Sequence, residues 1–255
     1  MNEKTSRIWE IDFIRGVAVV LMGIDHLLFD LGYIFNDLWY GKDENHILIQ
    51  ATRFALSYQT TPLSYYIRIF CIAGVFLFIS GICVNFSHNN YKRGFRLLII
   101  ALILNLVTWV FSMVMNNKGF IIYFGILHCL AIAMLISETI KKLPKPVVFL
   151  IAALILGVGL YLERHKINSH FLFVPFNIIP EGFVTADYYP LLPYCAFYIF
   201  GYLVGNRLYG RKVSLFKKDR NIPPFNFLGK NALGFYFTHQ IFLFIFLYLI
   251  GLIFL

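Results

Sequence analysis

Charged residues are scarce in this chain of 255 residues. Only 14% are Asp, Glu, Lys or Arg, whereas 59% are hydrophobic and the mean hydropathy is +0.72. A soluble domain carries about 25% charged residues, so this composition excludes a water-soluble globule. The abundance of apolar residues also excludes a disordered or collagen-like chain. The composition therefore predicts an integral membrane protein.

Cysteine is rare, and the common motifs of soluble enzymes are missing. The four cysteines, at positions 71, 83, 129 and 195, lie within apolar runs, which indicates reduced core residues rather than disulfides or metal ligands. The chain has no P-loop, no GxSxG and no HExxH motif. Three histidines on three predicted helices lack the spacing of metal ligands, so no metal is expected.

Apolar runs long enough to cross a bilayer, which takes about 20 residues, make up most of the chain. They predict an all-α fold, a polytopic transmembrane helix bundle of about seven spans, at residues 8–30, 63–87, 95–115, 120–140, 147–162, 188–206 and 231–255. Long loops are expected at 36–62 and 163–187. Since no repeat or linker is visible, residues 1–255 are predicted to form a single domain.

Lysine and arginine are divided unevenly between the two sets of loops. One set holds five, and the other holds fifteen: Lys4, Arg7, Lys92, Arg93, Arg96, Lys141, Lys142, Lys145, Arg207, Arg211, Lys212, Lys217, Lys218, Arg220 and Lys230. Cationic loops stay in the cytoplasm, which predicts a cytoplasmic N-terminus and an outer C-terminus. The net charge of +9 then reflects topology and attraction to anionic lipid, and no nucleic acid is needed to explain it.

The first span carries ionisable side chains, which are expensive inside a bilayer. At about 100° per residue, Arg15 and His26 lie about 20° apart on one helix face, separated by roughly 16 Å along the axis. Asp12 is one turn before Arg15, within reach of an ion pair. Asp25 points about 100° away from His26 and can orient a neighbouring group. Two interpretations stay open, a structural Asp12–Arg15 pair with a core histidine, or a functional polar path.

Further ionisable residues interrupt the other apolar runs. By the predicted topology Arg68, His128 and Asp187 fall in the outer half of the membrane together with His26, and His239 lies about a third of the way along the last span. This grouping predicts a site, because intramembrane ionisable residues are typically functional. Each histidine taken alone is also consistent with a hydrogen-bonded core residue.

Several stretches carry a family resemblance. The segment RIWEIDFIRGVAVVLMGIDH (7–26) resembles the opening helix of membrane acyltransferases, in which Asp, Arg-Gly and His take the places of Asp12, Arg15, Gly16 and His26. Four further segments, in the expected order, resemble bacterial relatives of heparan-alpha-glucosaminide N-acetyltransferase: residues 76–98, 124–136, 186–206 and 227–240. The chain has fewer spans than the best-known members and lacks a large outer domain.

The resemblance implies an acetyl-CoA-dependent O- or N-acetyltransferase in a prokaryotic cell membrane. Such an enzyme moves an acetyl group from cytoplasmic acetyl-CoA to a glycan or another hydroxyl or amine acceptor at the outer face. His26 matches the membrane-embedded catalytic histidine of the family, and Arg15 matches an arginine associated with the CoA side.

This chemistry needs a base, a stabilised oxyanion and a bound thioester. We predict His26 as general base, Asp25 or Asp187 as the group that fixes its tautomer or orients the acceptor, and His128 as oxyanion donor or proton relay. The predicted donor-binding residues are Arg15, Asp12, Arg93, Arg96 and His239. An acetylated His26 in a ping-pong cycle is the alternative mechanism.

A transporter or flippase is the competing function, because charge stripes also line substrate paths. The inverted repeats and paired broken helices typical of transporters are not visible. A membrane scaffold would leave the His–Asp group unexplained. The expected partners are the lipid bilayer, acetyl-CoA as co-substrate and an extracytoplasmic acceptor, with a homodimer left open.

Overall fold

The structure is a computed structural model that describes residues 7–39, 41–42, 46–87, 89–216 and 220–255. Three of the cationic residues counted above lie outside these ranges, namely Lys4, Lys217 and Lys218. Within the described ranges all regular structure is helical, apart from isolated bridges that join Phe124 to Tyr188 and Asn168 to Ile179. The all-α prediction is confirmed.

The helices are labelled in chain order. They are α1 (Trp9–Phe29), α2 (Ile47–Gln59), α3 (Pro62–Phe86), α4 (Asn90–Met115), α5 (Ile126–Ile140), α6 (Lys145–His165), α7 (Leu191–Leu208), α8 (Pro223–Lys230) and α9 (Ala232–Phe254). Helix α1 continues through a π-helical stretch, Asp30–Phe35, and a short turn, Asn36–Leu38. Helix α3 contains a second π-helical stretch, Ile67–Gly74.

Five helices among the described residues are long and apolar enough to cross a membrane: Trp9–Leu38, Pro62–Phe86, Asn90–Val114, Lys145–His165 and Ala232–Phe254. The chain is therefore a multi-pass membrane protein. The predicted span at 120–140 corresponds to the 15-residue α5, and the one at 188–206 to α7, whose backbone is not helical at Leu192. Seven spans and the orientation of the termini stay predictions.

The chain forms two compact units. The first comprises Met1–Phe76 and Phe216–Leu255, and the second comprises Leu77–Leu215, so the border lies within α3. The assignment of residues 1–255 to one functional domain stays a prediction.

In the first unit, α1 and α8 pack closely because glycines remove the side chains where they meet. A methyl group on Gly16 would overlap the backbone of α8, and one on Gly229 would overlap the carbonyl group of Asp12. The buried Asn226 fastens the two helices, since its amide nitrogen donates to the carbonyl oxygen of Trp9 at 2.7 Å. This packing fixes α8 against the polar face of α1.

The π-helical end of α1 packs with α2 and α9 around a buried apolar cluster of Phe35, Trp39, Ile49 and Leu247. Helix α2 lies where the sequence predicts a loop, at 36–62. Its buried residues recur at helical spacing, but they include the polar Thr52 and Gln59, so the apolar pattern along this segment is weak.

In the second unit, α7 packs on the end of α3 at Gly81, where a methyl group would overlap the carbonyl group of Tyr198. Helix α4 is joined to α5 by the buried Asn90, whose amide nitrogen donates to Glu138 Oε1 at 2.7 Å. All four cysteines are free thiols, as predicted, although only Cys129 and Cys195 are buried.

Candidate functional site

The predicted ion pair between Asp12 and Arg15 is present in the first unit. Arg15 Nη1 lies 3.2 Å from Asp12 Oδ1 and also donates to the carbonyl oxygen of Gly229 at 3.3 Å. Asp12 is buried, and its Oδ2 has no hydrogen-bond partner among the described residues. The pair therefore ties α1 to α8 and holds the guanidinium group in a fixed place.

His26 and His239 lie side by side, although 212 residues separate them in the sequence. Their ring centroids are 4.8 Å apart, and the ring planes meet edge to face at 62°. His26 is half-buried, and its ring nitrogens make no hydrogen bond to the described part of the chain. The structure thus joins the residue predicted as base to one predicted only as a donor-binding residue.

The hydrogen bonds of His239 determine where its proton lies. Nδ1 is 3.0 Å from the carbonyl oxygen of Phe235 and 2.9 Å from that of Tyr236. A carbonyl oxygen only accepts, so Nδ1 carries the hydrogen and Nε2 of the neutral ring carries the lone pair. Nε2 is buried and has no hydrogen-bond partner among the described residues. His239 therefore presents a nitrogen with an unused lone pair inside the first unit.

Asp25 pairs with an arginine from α3. Arg68 Nε lies 3.4 Å from Asp25 Oδ1, and Arg68 Nη2 donates to Gln59 Oε1 at 2.6 Å and to Ser64 Oγ at 3.2 Å. Arg68 also lies within electrostatic range of His26. Asp25 thus has Arg68 as its charged partner, and its predicted role in catalysis stays a prediction.

Gln59 was not foreseen as part of this cluster. It accepts from Arg68 and donates through Nε2 to the backbone oxygen of Asp25 at 3.3 Å. A glutamine in a segment predicted to be a loop gives no indication of a functional role. Only the position of α2 in the fold shows that Gln59 contacts Arg68.

A second unforeseen pair lies one helical turn beyond His26. Asp30 is fully buried, and both of its carboxylate oxygens accept from Gln240 Nε2, at 2.7 and 3.0 Å. Gln240 Oε1 is buried without a hydrogen-bond partner in the described ranges. Asp30 could have been singled out from the sequence, because an aspartate at the end of an apolar run is energetically costly in a membrane.

His128 and Asp187 belong to the second unit, where both contact the start of α5. His128 Nδ1 accepts from the backbone N–H of Gly125 at 3.2 Å, and Asp187 Oδ2 accepts from that of Ile126 at 3.2 Å. With its amide oxygen facing the ring, Asn105 accepts from His128 Nε2 at 3.2 Å. Both ring nitrogens of His128 are thus engaged, and the geometry suits a helix cap. The predicted roles of both residues in catalysis stay predictions.

Arg93 and Arg96 also lie in the second unit, on α4. Arg93 Nη1 is 3.5 Å from Asn90 Oδ1, whereas Arg96 lines a surface groove together with Lys92. Their predicted part in binding acetyl-CoA stays a prediction. Among the described residues no group of three or more His, Cys, Asp or Glu side chains could hold a metal ion.

The protein is therefore a multi-pass helical membrane protein with a polar, histidine-containing cluster among its helices. Residues 7–241 match the family model described as "Heparan-alpha-glucosaminide N-acetyltransferase, catalytic". The match extends over most of the chain, so the chain belongs to this family, and the resemblance noted in the sequence is confirmed. Comparisons with curated proteins and with solved structures return no match.

Proposed function

We propose that the protein is a transmembrane acetyltransferase that takes its acetyl group from cytoplasmic acetyl-CoA and delivers it to a glycan or another hydroxyl or amine acceptor at the outer face of a prokaryotic cell membrane. The family supports acetyl transfer in general. The observation that carries the proposal further is the contact between His26 and His239, in which His239 Nε2 has no hydrogen-bond partner among the described residues.

In this proposal His26 is the general base. One ring nitrogen of His26 takes the proton from the acceptor as its oxygen or nitrogen attacks the thioester carbonyl. The N–H on the other ring nitrogen turns to donate to His239 Nε2, a hydrogen bond that the two rings, with centroids 4.8 Å apart, do not make in this structure. When the C–S bond breaks, the proton passes from His26 to the departing thiolate, which leaves as CoA. His239 thereby holds His26 in the tautomer that can accept a proton, the part that a carboxylate plays in a catalytic triad.

Arg68 is the proposed stabiliser of the oxyanion, in place of His128. Its guanidinium group is held by Gln59, Ser64 and Asp25 and lies within electrostatic range of His26. A fixed cation within electrostatic range of the base can stabilise negative charge that develops on the thioester oxygen. His128 suits this role less, because both of its ring nitrogens are already engaged.

Arg15 is the proposed contact for the pantetheine arm of acetyl-CoA. It is anchored to Asp12 and to the backbone of α8, three helical turns before His26. An anchored guanidinium group donates hydrogen bonds without first losing side-chain freedom. Such a contact contributes to donor affinity rather than to the proton transfers.

The test is an acetyl-transfer assay on the purified full chain in lipid nanodiscs. Radiolabelled acetyl-CoA is supplied with an amino sugar or a polyol, and free CoA thiol and labelled acceptor are measured. We expect His26→Ala to abolish both signals, and His170→Ala, at an exposed histidine, to leave them unchanged. Label that stays on the protein without acceptor and is released by hydroxylamine would support the acetyl-His26 cycle. The alternative is tested with the same chain in proteoliposomes, which enclose a compartment, where ligand flux without loss of thioester would support the transporter instead.

A further inference from the structure

A groove of about 580 Å³ lies on the second unit where α4 faces α5. It is lined by Tyr91, Lys92, Phe95, Arg96, Ile99 and Leu135. Gly94 explains how close the helices come, since a methyl group there would lie 3.0 Å from the carbonyl oxygen of Ala131 and 3.1 Å from the Leu135 side chain. The groove is thus a product of the close packing of α4 and α5.

Charge and apolarity are separated along this groove. Lys92 and Arg96 are four residues apart and share one face of the first two turns of α4. Both are exposed, and neither side chain makes an ion pair or hydrogen bond within the described residues. Ile99 follows one turn later, and beyond it Leu102 and Leu106 are exposed as well. The helix therefore presents cations first and an apolar track after them.

We propose that this groove binds an anionic phospholipid. Lys92 and Arg96 hold the headgroup phosphate, and one acyl chain lies against Phe95 and Ile99 and continues along the apolar track. Helix α4 is long and apolar enough to cross the membrane, so the charged end of the groove falls at headgroup depth and the track at the depth of the acyl chains.

The phosphates of acetyl-CoA share the chemistry of this headgroup. The rest of that molecule, adenosine and pantetheine, is polar and does not match an apolar track that continues into the membrane. A phospholipid satisfies both parts of the groove, which is why we favour it over the soluble donor.

The proposal is tested by lipid retention in native mass spectrometry. The full chain is purified in detergent with trace phosphatidylglycerol or phosphatidylcholine, and the bound lipid is counted. A charge-assisted hydrogen bond from Lys92 or Arg96 to the headgroup phosphate is worth about tenfold in affinity. We therefore expect the double variant Lys92→Gln with Arg96→Gln to lose phosphatidylglycerol by about tenfold or more. The matched control, Arg207→Gln with Arg211→Gln, removes two exposed cations elsewhere in the second unit and should change retention by less than about twofold.

A second variant separates a shaped site from diffuse charge attraction. Ile99→Trp fills the groove and leaves both cations in place, so it should also reduce retention, whereas a diffuse interaction would be unaffected. Equal retention of both lipids, or equal losses in the test and control variants, would overturn the proposal. Displacement of phosphatidylglycerol by excess acetyl-CoA, with weaker acetyl-CoA binding in the Lys92 and Arg96 variant, would assign the groove to the donor instead.

Discussion

Two buried histidines, His239 and His128, have different proposed roles, one in catalysis and one in stability. In His239, Nδ1 is bonded to backbone carbonyls and Nε2 is free, whereas in His128 both ring nitrogens are engaged. Asparagine reproduces the position of Nδ1 and removes Nε2. The same substitution at both positions therefore removes a proposed catalytic contact in one unit and a structural hydrogen bond in the other.

The two substitutions are expected to change different quantities, kcat in one variant and thermal stability in the other. His239→Asn deprives His26 of its proposed partner, and loss of general-base assistance lowers kcat by about 10²–10⁴-fold, equivalent to about 3–5 kcal/mol of activation free energy. The variant should keep most of its thermal stability. His128→Asn leaves Asn105 without its partner, which costs about 1–3 kcal/mol of stability and lowers Tm by several degrees. Its kcat should fall by less than about tenfold.

The measurement is paired, with kcat from the release of CoA thiol and Tm from thermal unfolding in the same detergent. A His239→Asn variant that keeps more than about a tenth of the wild-type kcat would contradict the proposed role of His239. The structural role of His128 fails if His128→Asn loses as much kcat as His239→Asn does while its Tm is unchanged, because His128 would then be the oxyanion donor that the sequence predicts.

Two further predictions concern the packing of α8 on α1. Arg15→Ala should weaken acetyl-CoA binding by more than His26→Ala does, since Arg15 is assigned to the donor. Equilibrium binding of radiolabelled acetyl-CoA measures this, because it needs no turnover, and equal Kd values would remove the assignment. Gly229→Ala should destabilise the chain by about 1–3 kcal/mol, because the methyl group would overlap the carbonyl group of Asp12. The matched Gly234→Ala, with open space around it, should be neutral or stabilising by up to about 1 kcal/mol, and equal Tm values for the two glycine variants would contradict the packing argument.

Local periodicity made one part of the site predictable. Asp12 and Arg15 are three residues apart on one helix, so helix geometry alone places them in reach, and the ion pair is present. The rotation of about 100° per residue also predicts different directions for Asp25 and His26, and Asp25 pairs with Arg68. The scarcity of charge likewise determined a membrane protein, and the length of the apolar runs determined that it is helical, because a bilayer is crossed by about 20 residues in a helix and by about 10 in a barrel strand.

The tertiary structure decided the rest, because the decisive contacts join residues far apart in the chain. His26 meets His239, and Asp30 meets Gln240, only because α9 packs beside α1. Spacing within a single helix carries no information about which other helix lies against it. Which nitrogen of His239 stays free was decided in the same way, since an amino-acid sequence names a histidine but not the carbonyl oxygens that hold its proton.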